Sequence, residues 1–302
     1  MTTQPESQAI AQKNAAENPA ADGAIAIICG GGSFPSAVAD AITRRGRQPV
    51  MFGIKGWADP KVVEQCRPHH WIALGQLGRF CRLARAEQCR DVLFIGTLLR
   101  PAIRNLRLDW ATVRAMPRII RSFRGGDDHL LSGVADILGD AGLRIIAAHD
   151  VAPEILVPDG VLGRCQPSAR DRTDIARAFE VIAALGPFDI GQGAVVADNN
   201  VLAVEAAEGT DNMLERLIEL RRLGRVTARH GVGVLVKAPK PSQDRRFDLP
   251  AIGPRTIEYA VRAGLAGVAV AAGSAIIADA AETIAAADRA GIFVAGIGRE
   301  SA

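Results

Sequence analysis

The sequence predicts two α/β domains: an N-terminal Rossmann-like parallel sheet with helices, and a C-terminal mixed α/β domain. Three observations carry that expectation. Short apolar runs of Val, Ile, Leu and Ala alternate with stretches of helical period, as buried parallel strands joined by crossovers do. Aromatic residues are only 4% of the 302 residues, while 48% are hydrophobic and 23% charged, as in soluble globular chains. A glycine turn, Gly30–Gly32, separates the first apolar run from the first helical pattern.

The elements follow in order. Residues 1–22 are polar and Ala-rich, lack the basic start and apolar core of a signal peptide, and are expected to form a disordered tail. The N-terminal domain is expected over 23–156. Ala24–Cys29 is its first strand, followed by the glycine turn and a helix to about Arg45. Gln48–Ile54 is the next strand, and a helix near Gly78–Glu87 precedes a strand at Asp91–Gly96. Asp127 and Asp128 can cap a helix that runs to Asp140 and is ended by Gly142. Leu143–Ala148 reads as a strand, and Pro153, Pro158, Gly160 and Gly163 mark a hinge.

The C-terminal domain is expected over 157–302. Thr173–Leu185 is helical. Gly193–Val196 and Leu202–Glu205 alternate like a hairpin around Asn199–Asn200. Thr210–Leu220 is helical, with Thr210 or Asp211 near its start. Val232–Val236, Gly267–Ala271 and Ile292–Ile297 complete a set of buried strands. The run Ala263–Ala278 holds three glycines and a serine, which suits short buried elements better than a membrane span.

Composition excludes some functions. A net charge of +3 and the lack of a nucleic-acid motif argue against a nucleic-acid partner. Cys29, Cys66, Cys81, Cys89 and Cys165 show no CxxC or Cys/His clustering, which predicts reduced thiols in the cytoplasm. His69 and His70 read as solvated or structural.

The glycine turn sits where a doubly wound domain binds phosphates, so Gly31 and Gly32 are candidate backbone donors. A tight turn with no ligand explains the same residues. A dinucleotide does not fit: Pro35 replaces the third glycine of GxGxxG, and the second strand ends in Phe52-Gly53-Ile54-Lys55 without a ribose-binding acid. Asp127-Asp128-His129 superficially resembles a phosphoesterase metal motif, but the downstream motifs are missing. Capping explains the two aspartates more simply, and substrate contact keeps Asp128 a candidate.

Between Arg100 and Arg124 lie seven arginines and one acid, Asp109. Pro101 and Pro117 fit first-turn positions of two short helices. Such basic amphipathic helices can lie on an anionic membrane, and a merely solvated basic face accounts for them equally.

The richest segment is Leu235–Thr256, LVKAPKPSQDRRFDLPAIGPRT, where cations, carboxylates and prolines follow a buried strand. Lys237 and Lys240 are candidate phosphate partners, and Asp248, in a loop stiffened by Pro250, is a candidate metal-holding carboxylate. Gln192, Thr210, Asp211 and Gln243 are candidate substrate contacts. Asp189, Glu205, Glu208 and Asp244 add to the acids. For Glu205 a surface salt bridge is the expected role.

Six motifs together resemble the LpxI-type UDP-2,3-diacylglucosamine pyrophosphatases. They are GGGSFP (30–35), GDDHLL (126–131), DIGQGAVV (189–196), VLAVEAAEGTDNML (201–214), KAPKPSQDRRFDLPAIGPRT (237–256) and AGLAGVAV (263–270). The resemblance covers nearly everything after residue 23. It implies a cytoplasmic homodimer, peripheral to the inner leaflet of the membrane. It implies a Mg²⁺-dependent (or Mn²⁺-dependent) hydrolase of lipid A synthesis, which cleaves UDP-2,3-diacylglucosamine to UMP and 2,3-diacylglucosamine 1-phosphate (lipid X). It also implies a product site between two α/β domains, attack at the glucosamine-bound phosphorus, and a critical aspartate in Arg-x-Asp-Leu-Pro, here Asp248. The residues at Cys29 and Phe34 depart from the commoner pattern around the glycine turn. Two rival functions share these residue types: a nucleotide-sugar transferase, which would leave UDP, and a non-enzymatic lipid or nucleotide carrier.

Overall fold

The computed structural model describes residues 23–97, 107–122, 127–240 and 243–298, and for 119–122 and 127–132 the backbone alone. The tail expected at 1–22 and the first half of the basic segment lie outside the described residues. The chain forms two compact units, whose main boundary falls between Ala152 and Pro153.

The first unit is built on a five-stranded, all-parallel sheet of order β3-β2-β1-β4-β5. Its strands are β1 (Ala24–Cys29), β2 (Pro49–Ile54), β3 (His69–Ile72), β4 (Cys89–Ile95) and β5 (Arg144–Ile145). The helices are α1 (Phe34–Arg44), α2 (Pro60–Gln65), α3 (Leu77–Ala86), α4 (Trp110–Ser122), α5 (Asp127–Asp140, which belongs to this unit from Leu131 on) and α6 (Ala148–Val151). β1 and β2 are almost wholly buried, and Ala24, Ala26, Val50 and Phe52 pack with Phe80 and Ala84 of α3. Helices on a parallel sheet explain the unbroken apolar runs.

Three local expectations are corrected. Residues 143–148 are not one strand: only Arg144–Ile145 pairs, and the chain turns into α6 at Ala148. Residues 110–122 form a single helix with Pro117 inside it, not the start of a second short helix. β3 and α2 were not anticipated. β3 carries two histidines and a tryptophan and buries only Ile72. Its histidines are structural: His69 Nδ1 lies 3.0 Å from the Cys66 carbonyl, and His70 Nε2 2.7 Å from Glu87 Oε1.

The second unit holds a six-stranded mixed sheet of order β6-β13-β11-β9-β7-β8. Its strands are β6 (Gly160–Val161), β7 (Gly193–Ala197), β8 (Asn200–Val204), β9 (Val234–Lys237), β11 (Gly267–Ala271) and β13 (Phe293–Ile297). β9, β11 and β13 are parallel, while β6, β7 and the β7–β8 hairpin run antiparallel to their neighbours. β10 (Ala251–Ile252) and β12 (Ile276–Ile277) form a small parallel pair. The helices are α7 (Ala169–Leu185), α8 (Gly209–Arg222), α9 (Pro254–Arg262) and α10 (Ala280–Ala290).

Alternation splits the strand residues between two cores. Val195, Leu235, Val268, Val270 and Val294 pack with Met213, Leu214, Leu217 and Ile257. Ala194, Val196, Val234, Val236 and Ala269 pack with Ile175, Ala178 and Ile182 of α7. α7 begins earlier than expected because Ser168 and Asp171 form a reciprocal capping box. The hairpin turns at Asp198–Asn199, both at positive φ (51° and 61°), one residue before the expected pair.

Candidate active site

In the first unit, β1 lies between β2 and β4, where a doubly wound sheet offers a ligand crevice at its strand ends. The glycine turn follows β1 there. Gly31 and Thr97 close an antiparallel bridge, each N–H donating to the other's carbonyl at 2.9 Å. Gly30 N–H donates to the Ile95 carbonyl at 3.1 Å. The donor role expected of Gly31 is therefore taken by Thr97. Gly32, at φ 97° with open space around it, has no backbone partner among the described residues. The bridge ties the ends of β1 and β4 together.

The second unit gathers most of the other predicted residues at the C-terminal end of β9. Lys237 ends that strand, and its partner in register on β7 is Gly193. The loop after β9 then carries Lys240, Gln243 and Asp248 into β10. Gln192 is pinned just before β7, where its carbonyl accepts the Ala238 N–H at 2.9 Å. Gln243 is buried, and its Oε1 accepts the Lys240 N–H at 3.0 Å. With their backbones fixed, both glutamines aim amides at one atom. Gln192 Nε2 donates to Asp248 Oδ2 at 2.5 Å, and Gln243 Nε2 donates to the same oxygen at 2.7 Å.

Asp248 is exposed as a residue, and Oδ1 has no hydrogen bond among the described residues. The arrangement orients a carboxylate and leaves one oxygen available. Among the described residues no three His, Cys, Asp or Glu side chains converge to hold a metal. Mg²⁺ commonly takes one or two protein carboxylates and completes its shell with water and substrate phosphate. Asp248 fits that limited role.

The two lysines differ. Lys240, with only 9% of its side chain exposed, pairs with Asp189. Asp189 occupies a left-handed turn (φ 57°) after the short helix Gly186–Phe188. Lys237 is buried, and its Nζ donates to Thr210 Oγ1 at 2.7 Å and the Ala251 carbonyl at 3.1 Å. Thr210 Oγ1 in turn donates to Glu205 Oε1 at 3.0 Å. Glu205 is no surface salt bridge: Oε1 serves Thr210, and Oε2 is buried without a hydrogen-bond partner. This corrects the role expected of it.

Asp211 pairs with Arg255 at 2.9 Å rather than joining the group around Asp248. Asp244 is clamped by Arg246 at 2.7 Å, and that guanidinium holds its carboxyl below the usual range. Asp128 falls in the first turn of α5, but its side chain lies outside the described residues. The cysteines are free, and burial pushes the Cys29 and Cys89 thiols up to about 12, so neither is a ready nucleophile.

Known proteins match over nearly all of the described chain. The LpxI N-terminal domain model matches residues 24–155 and the LpxI C-terminal domain model matches residues 158–295. The UDP-2,3-diacylglucosamine pyrophosphatase LpxI of Caulobacter vibrioides is 41% identical over 273 residues, covering 90% of this chain and 97% of that protein. A solved UDP-glucose-4-epimerase from Stenotrophomonas maltophila shares 16% identity over 43% of this chain and 34% of its own, with a TM-score of 0.23, too low to bear on the fold. The two domain models in their order, and an identity of 41% over nearly all of both chains, place this chain in the LpxI family.

Proposed function

We propose that this chain hydrolyses the diphosphate of UDP-2,3-diacylglucosamine, releasing UMP and 2,3-diacylglucosamine 1-phosphate in lipid A biosynthesis. As a member of the LpxI family it is a hydrolase, and the name of the Caulobacter relative supports the substrate. The observation that carries the reading is the carboxylate of Asp248, held by two glutamine amides on one oxygen and open on the other.

Water attacks one phosphorus, and the bond from that phosphorus to the bridging oxygen breaks. Asp248 holds Mg²⁺ or orients the attacking water, and either role needs the fixed anion. A bound Mg²⁺ supplies charge neutralisation on the diphosphate oxygens. Lys237 and Lys240 add point charges, and Gly32 and Asp128 are further contacts for the nucleotide sugar. Gln192 and Gln243 act on Asp248 rather than on substrate. Thr210 serves Lys237, and Asp211 stays at the rim with Arg255. Positioning and electrostatics account for most of such catalysis. The working form is a homodimer at the cytoplasmic face of the inner membrane. Leu108, Trp110 and Val113, exposed on the basic segment, supply apolar surface for that contact. No helix among the described residues is long and apolar enough to cross a membrane.

The test is direct. Purified protein with Mg²⁺ and UDP-2,3-diacylglucosamine should release UMP and lipid X, and EDTA should stop it. Release of UDP would mark a transferase instead. Asp248→Ala should lower kcat by about a thousandfold or more, several kcal/mol in the barrier, with an unchanged melting profile. Near-normal turnover would remove Asp248 from the mechanism. In ¹⁸O-water, attack at the glucosamine-bound phosphorus puts the label in lipid X, whereas label in UMP would reverse that assignment.

A further inference from the structure

We infer that Glu205 is a positioning residue for this reaction, acting through Thr210 on Lys237; the inference rests on the diphosphate hydrolysis proposed above. The Lys237 ammonium is buried, and among the described residues its partners are neutral oxygens, Thr210 Oγ1 and the Ala251 carbonyl. A buried ammonium needs a compensating charge nearby. Glu205 supplies it one hydroxyl away, through the 3.0 Å bond that Thr210 donates to Oε1. The threonine has a single proton, so giving it to Glu205 turns a lone pair toward Lys237. The chain carboxylate, hydroxyl, ammonium has one polarity and holds the ammonium at the end of β9.

The surrounding backbone is shaped around this acid. A Cβ on Gly193 would lie 2.6 Å from Glu205 Oε2, and a Cβ on Gly191 would lie 1.9 Å from the Glu205 carbonyl oxygen. Glu205 N–H donates to the Gly193 carbonyl at 2.8 Å. Gly193 of the Asp-Ile-Gly-Gln-Gly motif thus makes room for a carboxylate in another part of the chain, and Gly191 for the main chain that carries it. That carboxylate keeps one oxygen, Oε2, buried and without a donor. An acid that only solvates a surface needs neither feature.

The experiment measures UMP release by wild type, Lys237→Met, Glu205→Gln, Thr210→Val and Thr210→Ser, then repeats Glu205→Gln and Thr210→Val in the Lys237→Met background. Glu205→Gln keeps the shape and removes the charge; Thr210→Val keeps the shape and breaks the relay. Each should lower kcat/KM about ten- to a hundredfold, the value of a hydrogen bond to a charged group. Thr210→Ser, which restores the hydroxyl, should stay within about threefold of wild type on the same reasoning. In the Lys237→Met background the same changes should cost less than about threefold, because their effect runs through the missing ammonium. Equal losses in both backgrounds would make Glu205 a structural residue and overturn the role. So would a Glu205→Gln enzyme as active as wild type beside a crippled Lys237→Met. If Glu205→Gln fails to fold, the Thr210→Ser and Thr210→Val pair decides. A wild type that releases no UMP overturns the reaction itself, an outcome distinct from these.

Discussion

The two glycine clusters of this chain do different jobs. In Gly30–Gly32 the glycines serve the backbone: Gly30 lies against the Thr97 carbonyl, with a Cβ that would sit 2.2 Å away, and Gly32 turns at φ 97° in open space. In Asp189-Ile190-Gly191-Gln192-Gly193 they serve a neighbouring side chain and its strand, because both vacant Cβ positions are filled by Glu205. The first cluster is the one that sequence motifs teach a reader to notice. The second has no such signature, yet it lies beside the only predicted carboxylate held by two amides among the described residues. Glycine marks close approach, and what approaches decides whether the position belongs to a turn or to a site.

The largest effect should come from Gly191→Ala. The new methyl would meet the Glu205 carbonyl oxygen at 1.9 Å on a backbone already at φ 53°. Overpacking against main chain and a left-handed alanine each cost about 1–3 kcal/mol, so a loss of about 2–6 kcal/mol is expected in chemical denaturation. A variant as stable as wild type would break the contrast drawn between the clusters. Gly193→Ala should cost less, about 1–3 kcal/mol, because the Glu205 side chain can shift where a carbonyl cannot. It should also lower turnover more than its stability loss explains, by displacing the carboxylate that anchors Thr210.

Much of the fold was legible because buried strands advertise themselves. β1 and β11 were read at their observed ends, and β2 and β13 to within one residue, since sheets covered on both faces leave unbroken apolar runs. β3 was invisible because His69, His70 and Trp71 make a poor apolar run, and only Ile72 is buried. The extent of β5 was overestimated because Ile145 to Ala148 stay apolar while the chain turns into a helix. The site was legible where local composition carried it, in the Lys237–Asp248 loop. It was illegible where it depended on contacts across strands. Nothing in the spacing of Glu205 distinguished it from Glu208, which pairs with Arg216 at 2.9 Å. Likewise nothing in the spacing of Gln192 and Gln243 signalled their shared aim at Asp248.

Gly32→Ala should have a middling effect and sharpens the other half of the comparison. No atom lies within 4 Å of the vacant Cβ position, so the cost is conformational only, about 1–2 kcal/mol from the positive φ. If the Gly32 N–H faces substrate phosphate, KM should rise while the melting temperature falls only slightly. An unchanged KM would leave the turn a structural one.

The smallest effect separates two aspartates of one loop. Asp244 and Asp248 are equivalent by composition, but Asp244 is held by Arg246 while Asp248 is held by neutral amides. Asp244→Asn should therefore leave turnover within about threefold of wild type and cost under about 1 kcal/mol, since both partners remain partly exposed to water. The pH dependence has a definite sign. The hydrogen bond from Arg246 lowers the folded carboxyl below its unfolded value of 3.8, so the pair stabilises the protein above that pH. The contribution fades as pH falls through the folded value. Wild type and Asp244→Asn should differ slightly in stability at pH 6 and converge well below pH 4, as urea melts at the two pH values would show. A gap that widens in acid would reverse the sign. A large loss of turnover at neutral pH would instead move Asp244 into the chemistry beside Asp248, because loss of its local ion pair cannot account for that.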